Sequence, residues 1–191
     1  MFGDNSEMDA KQTIKPKNSL VRMLLLGLSI VTACTATSTL SETEEVAIYS
    51  AVIHRIYTQD DTFGGTFNAS VVYLLRTTND SVGDPDVQQS KSRPVSKAIQ
   101  DEIELSLADL PARVVWVNDS SAVPVDTTTR AIANDGVILT LGNIHIQGDG
   151  TVLVSGSIYI APLAAGGQTY ILKKVNGIWE ISGTTGSRWT S

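Results

Sequence analysis

At 191 residues, with 42% hydrophobic and 18% charged side chains, the chain has globular composition and room for one domain besides a targeting segment. Its formal net charge is −6, and from Cys34 onward ten Lys or Arg stand against seventeen Asp or Glu. Such a field repels a polyanion, which argues against nucleic acid as a partner. The single cysteine excludes an internal disulfide framework.

Residues 1–22 are polar and carry Lys11, Lys15, Lys17 and Arg22, and "MLLLGLSIVTA", Met23 to Ala33, follows as an apolar run. A cationic start, a short greasy core and small residues at its end are the plan of a secretory signal. Eleven helical residues reach only about half of a hydrocarbon core, too short for a stable span. Asp4, Glu7 and Asp9 depart from the plan, and a start at Met8 would leave a cleaner basic segment.

Val31-Thr32-Ala33-Cys34 resembles the lipobox of bacterial lipoproteins. The resemblance implies that the Cys34 sulfur receives diacylglycerol and that the signal is cut just before it. Two or three acyl chains would hold the protein stably to a membrane on its extracytoplasmic side, periplasmic or cell-surface. A cleaved, unlipidated signal and an inert buried cysteine are the plainer alternatives. The expected organisation is a signal peptide over 1–33, a lipidated cysteine and Thr/Ser-rich tether over 34–43, and one α+β domain over 44–191.

Within that domain Ser41 and Glu44 match a capping box, and Val46, Tyr49, Val52, Ile53, Ile56 and Tyr57 carry helical spacing over 43–58. Asp60 and Asp61, before "TFGG", read as a helix-ending turn or as pocket carboxylates. "SVVYLLRT", residues 70–77, reads as a buried strand. Pro94 opens a second helix whose stripe is Val95, Ile99, Ile103, Leu107 and Leu110, ended by Pro111. "ARVVWVND" is a short strand with Trp116, followed by an irregular connection.

Two hairpins close the chain. A three-residue loop at Gly148-Asp149-Gly150 sets Ile146 opposite Val152 and Ile144 opposite Val154, which gathers Ile144, Ile146, Val152, Val154, Ile158 and Ile160 on one face. Asn176-Gly177 predicts a type I′ turn, with Val175 opposite Ile178, Lys174 opposite Trp179 and Leu172 opposite Ile181. Tyr170, Leu172, Trp179 and Ile181 then share a face, and Lys174 can lie along Trp179. The order predicts two helices packed on a curved antiparallel sheet ending in consecutive β-hairpins.

"YILKKVNGIWEISG" is similar to the closing hairpin of NTF2-like (cystatin-like cone) domains, over roughly thirty residues. That resemblance implies a cone-shaped α+β fold whose enzymes place Asp, His or Tyr in a largely apolar pocket. Such families usually open with two helices before the first strand, where this chain offers one. The chain as a whole resembles uncharacterised bacterial lipoproteins.

Catalytic motifs are absent: no Walker loop, dinucleotide fingerprint, nucleophile elbow or paired-histidine zinc motif occurs, so no cofactor is expected. His54 falls off the apolar stripe of the first helix and reads as a surface residue. His145 points away from Ile144 and Ile146 and could serve as a general base if a cavity lay on that side. His145, Tyr170 and Trp179 are therefore the pocket candidates, and Cys34 the lipidation site. Asp80, Asp84 and Asp86 are oxygen ligands of the kind Ca²⁺ takes, without EF-hand spacing. Two functional readings follow. One is a lipid-anchored, non-catalytic domain binding a small ligand or a protein. The other is a small isomerase, dehydratase or hydrolase using a carboxylate or His145. A cystatin-like inhibitor is a third, without a visible wedge motif.

Overall fold

The computed structural model describes residues 39–191, apart from 63, 65 and 87–90. Helix α1 spans Glu42–Thr58 and opens on the capping box read from sequence: Ser41 Oγ accepts from Glu44 N at 3.3 Å, while Ser41 N donates to Glu44 Oε2 at 3.1 Å. Strand β1 is Val71–Leu75, helix α2 Lys97–Ser106 and strand β2 Arg113–Val117. The remaining strands are β3 (Gly136–Ile146), β4 (Val152–Ala161), β5 (Ala164–Val175) and β6 (Ile178–Thr190).

The six strands form one sheet in the order β2-β1-β3-β4-β5-β6. The α+β class stands, but the sheet is mixed rather than antiparallel. β1 pairs parallel with β2 on one side and with β3 on the other, while β3 to β6 pair antiparallel. Parallel neighbours cannot be joined by a tight turn. Here α2 carries the chain from β1 to β2, and residues 118–135 carry it from β2 to β3, so each strand starts from the same end. Sequence periodicity reports strands and turns; it is blind to which neighbour a strand chooses.

Pro94 does not open α2. It makes an isolated bridge with Thr77, and Ser96 caps the helix by accepting from Ile99 N at 3.3 Å. The expected stripe still goes inward: Val95, Ile99, Ile103, Leu107 and Leu110 are all buried, although only two of them are helical. Both hairpins have the expected register. Ile146 pairs with Val152 and Ile144 with Val154, and the loop ends on left-handed Gly150. Ile146 sits at the sheet's end and stays 42% exposed, so the apolar face is closed by Val152, Val154, Ile158 and Ile160. At the second turn Asn176 and Gly177 both have positive φ, and Lys174 faces Trp179 with its Nζ 5.8 Å from the ring centroid.

α1 and α2 cover one face of the sheet. There Ile48, Tyr49, Val52, Ile53 and Ile56 of α1 meet Val72, Leu139, Val154, Ile158, Tyr170 and Leu172. Gly156 lets α1 come this close, since a Cβ there would lie 2.7 Å from Ile56 Cδ1. On the opposite face Val71, Tyr73 and Ile138 pack against Val123 and Ile132 of the 118–135 connection. Among the described residues both clusters fall between Leu40 and Ile181, and Thr39–Ser191 forms one compact unit with a hydrophobic core.

Candidate functional site

Two hydrogen-bonded clusters of titratable groups stand out, one at a backbone bulge and one at a helix end. The first is a bulge in β3. Leu141 pairs with Gly156 and Ile144 with Val154, so β3 carries one extra residue between these pairs. The bulge aims Asn143 N at Asp80, whose Oδ1 accepts it at 2.6 Å. Asp80 is held in a one-turn 3₁₀ helix capped by Asn79, and its side chain is only 5% exposed. Its Oδ2 accepts from Asn143 Nδ2 at 3.1 Å and meets His145 Nε2 at 3.1 Å. Gly142 makes room, because a Cβ would fall 2.7 Å from Asp80 Oδ1.

This network continues to α1. Thr78 Oγ1 accepts from Arg93 N at 2.8 Å and donates to Asn143 Oδ1 at 2.8 Å. The Arg93 guanidinium pairs with Glu45 and donates to the Tyr49 hydroxyl at 3.2 Å, and Tyr49 in turn donates to Gly142 O at 3.2 Å. Burial pushes the Tyr49 phenol up to about 12. The polar chain thus ties Thr78, Asp80 and Arg93 to the sheet and to α1. His145, 47% exposed, sits at its outer end. A carboxylate on Nε2 fixes the tautomer that leaves Nδ1 as the basic nitrogen.

The second place is the end of α1. Asp60 Oδ2 accepts from Arg55 Nε at 2.8 Å, from Gln168 Nε2 at 2.9 Å and from the Tyr170 hydroxyl at 3.2 Å. Burial pushes the Tyr170 phenol up, well above its ordinary range. Asp60 is the pocket carboxylate and Asp61 the turn carboxylate: Asp61 is buried and accepts from Phe67 N at 3.0 Å. The cavity beside Asp60 measures only ≈ 10 Å³ and is lined by Thr62, Gly156, Gly167, Gln168 and Tyr170 among others. It has room for one water, and the Thr62 hydroxyl, buried without a hydrogen-bond partner among the described residues, would bond to it.

The residues singled out in the sequence therefore separate. Tyr170 and Trp179 are core residues, 1% and 9% exposed, and with Leu172 they fill the space under the helices. His145 lies on the other face, with Asp80 as the partner that sequence could not supply. His54 is on the surface, 3.6 Å from Asp109. Asp80 and Asp84 are spent on protein donors: Asp84 accepts from Asp86 N at 3.1 Å and from Ser187 N at 2.9 Å. Among the described residues no group of three His, Cys, Asp or Glu is placed to hold a metal ion. Cys34 and the whole lipobox segment lie outside the described residues. Among the described residues no helix is long and apolar enough to cross a membrane.

Comparison with known proteins gives no match to the chain among protein-family models, curated proteins or solved structures.

Proposed function

We propose that this chain is a lipid-anchored extracytoplasmic protein whose folded domain binds a ligand or partner on its surface and catalyses no reaction. One observation carries the binding half of this reading. The space between helices and sheet, where an NTF2-like enzyme would keep its pocket, is occupied by the buried Tyr170, Leu172 and Trp179, and the cavity beside Asp60 at the end of α1 holds only ≈ 10 Å³. A binding surface then has to lie outside. The anchoring half rests on the apolar run Met23 to Ala33 and on Val31-Thr32-Ala33-Cys34.

Intact-mass analysis of protein from its native cells tests the anchor. The expected mass begins at Cys34 and carries diacylglycerol, and Cys34→Ala leaves the membrane fraction. A retained leader with a free thiol contradicts it. The Asp80–His145 pair favours a second reading, a small hydrolase or isomerase with His145 as general base, because a buried carboxylate orients a half-exposed imidazole. Under that reading His145→Ala abolishes any turnover found in a substrate screen while His54→Ala keeps it.

A further inference from the structure

On the sheet face away from the helices, the 118–135 connection folds back over β1, β3 and β4 as a hydrogen-bonded arm. Its limbs are bridged at Val125 and Ile132 and joined by Ala133 N donating to Pro124 O at 2.9 Å. Ile132 N also donates to Ile160 O at 2.8 Å, which fastens the arm to β4. Asp126 shapes the tip, accepting from Thr128 N and Thr129 N at 2.9 and 2.7 Å. Between the arm and the sheet runs a groove of ≈ 570 Å³. Leu75, Ile138 and Tyr159 line it from the sheet, and Val123, Val125 and Ile132 from the arm.

That volume is in the range of small-molecule sites, and the mostly apolar lining is of the usual kind. Val125 remains 42% exposed, an apolar side chain left without cover. Arg130 also lines the groove and has no ion-pair partner among the described residues, in a chain of net charge −6. Its backbone is left-handed at φ 62°, a conformation an arginine holds at a cost that glycine would avoid. The Thr140 and Tyr159 hydroxyls on the sheet side have no hydrogen-bond partner among the described residues.

We propose that the groove binds a free monocarboxylate with an apolar body, the carboxylate on the Arg130 guanidinium and the body along Leu75, Ile138 and Tyr159. Guanidinium and carboxylate match as a two-pronged pair, and an apolar tail gains from the lining whatever its exact shape. The proposal deepens the surface-binding reading and rests on it.

The test uses the self-contained unit Thr39–Ser191, with sodium decanoate as probe and decan-1-ol and decyltrimethylammonium as neutral and cationic controls, followed by calorimetry and amide NMR. Decanoate is expected to bind saturably, at least about tenfold tighter than the cation, and to move the amides of Arg130, Thr140 and Tyr159. Arg130→Gly, relieved of its backbone strain, keeps or raises the melting temperature and loses about tenfold in decanoate affinity; Arg130→Gln loses the same. Val125→Trp, on the exposed arm, fills the groove and abolishes binding. Equal affinity for the cation, unchanged binding by both Arg130 variants, or binding only to decanoate embedded in phosphatidylcholine vesicles overturns the proposal. So does the absence of binding, which leaves the anchor to be judged by its mass. Shifts at Tyr170 and Leu172 instead would overturn the surface reading itself.

Discussion

Tyr170→Phe separates a structural phenol from a pocket phenol. The hydroxyl accepts from Gln168 Nε2 at 2.9 Å and donates to Asp60 Oδ2 at 3.2 Å, on a side chain only 1% exposed. Deleting it leaves the buried Gln168 and the partly buried Asp60 each short of one partner, and a buried group left so costs about 1–3 kcal/mol. Asp60 and Gln168 keep each other at 2.9 Å, and Asp60 keeps Arg55 at 2.8 Å, so the loss belongs in the lower half, about 1–2 kcal/mol. For a domain of this size each kcal/mol moves the melting point by about 2–4 °C, which gives a fall of about 2–8 °C in a calorimetric scan. Tyr159→Phe is the control: its hydroxyl has no partner among the described residues, and the melting point should not move. Tyr170→Phe melting with the wild type would refute the claim that this cluster ties α1 to β5.

Four further outcomes follow from other contacts. Gly156→Ala forces a methyl to 2.7 Å from Ile56 Cδ1 and 3.2 Å from Val52 Cγ1, and urea unfolding should show a loss of about 1–3 kcal/mol. Asp80→Ala removes the buried carboxylate that Asn143 N reaches at 2.6 Å and should cost about 2–3 kcal/mol, whereas His145→Ala, half-exposed, should cost less than about 1 kcal/mol; equal costs would contradict the role given to Asp80. The hydrogen bond from Lys174, with those from Ser41, lowers the Glu44 carboxyl to about 2 from 4.5. Its contribution is complete above pH 4.5 and lost as pH falls through about 2, so the melting-point gap between wild type and Glu44→Gln should close over that window. Tyr49, raised by burial from 10 to about 12, keeps its proton in the fold when the unfolded chain gives it up. Stability should therefore decline between pH 10 and about 12, and the decline should be shallower in Tyr49→Phe.

Local chemistry was legible in the sequence where one short segment decides the structure. The Ser41–Glu44 box, the Asn176-Gly177 turn and the loop ending at Gly150 depend on a few adjacent residues and on which face must be buried, and all three formed with the expected pairing. The parallel pairings of β1 were not legible, because they join segments far apart through a helix and a long connection. Pro94 misled for a related reason: a proline suits an extended bridge as well as a first helical turn, and Ser96 two residues on was the stronger cap. Strand β6 runs on to Thr190 through Gly183 and left-handed Gly186, residues that read as the end of a strand. Of the polar groups, His145 was visible and Asp80 was visible, but only the β3 bulge brings them together. The isolated Gly142 in "LTLGNIHI" was the signal for that bulge. Asp60 and Asp61 were ambiguous as neighbours, and they took one role each.

Pressurised xenon in a crystal of the protein probes the filled interior directly, since the gas settles in dry apolar cavities. No xenon should enter the space bounded by Tyr170, Leu172 and Trp179 in the wild type, and a site should appear there in Leu172→Ala, whose removed side chain is fully buried. A xenon atom lodged among those three residues in the unaltered protein would reveal an internal pocket and contradict a domain that binds on its outer face.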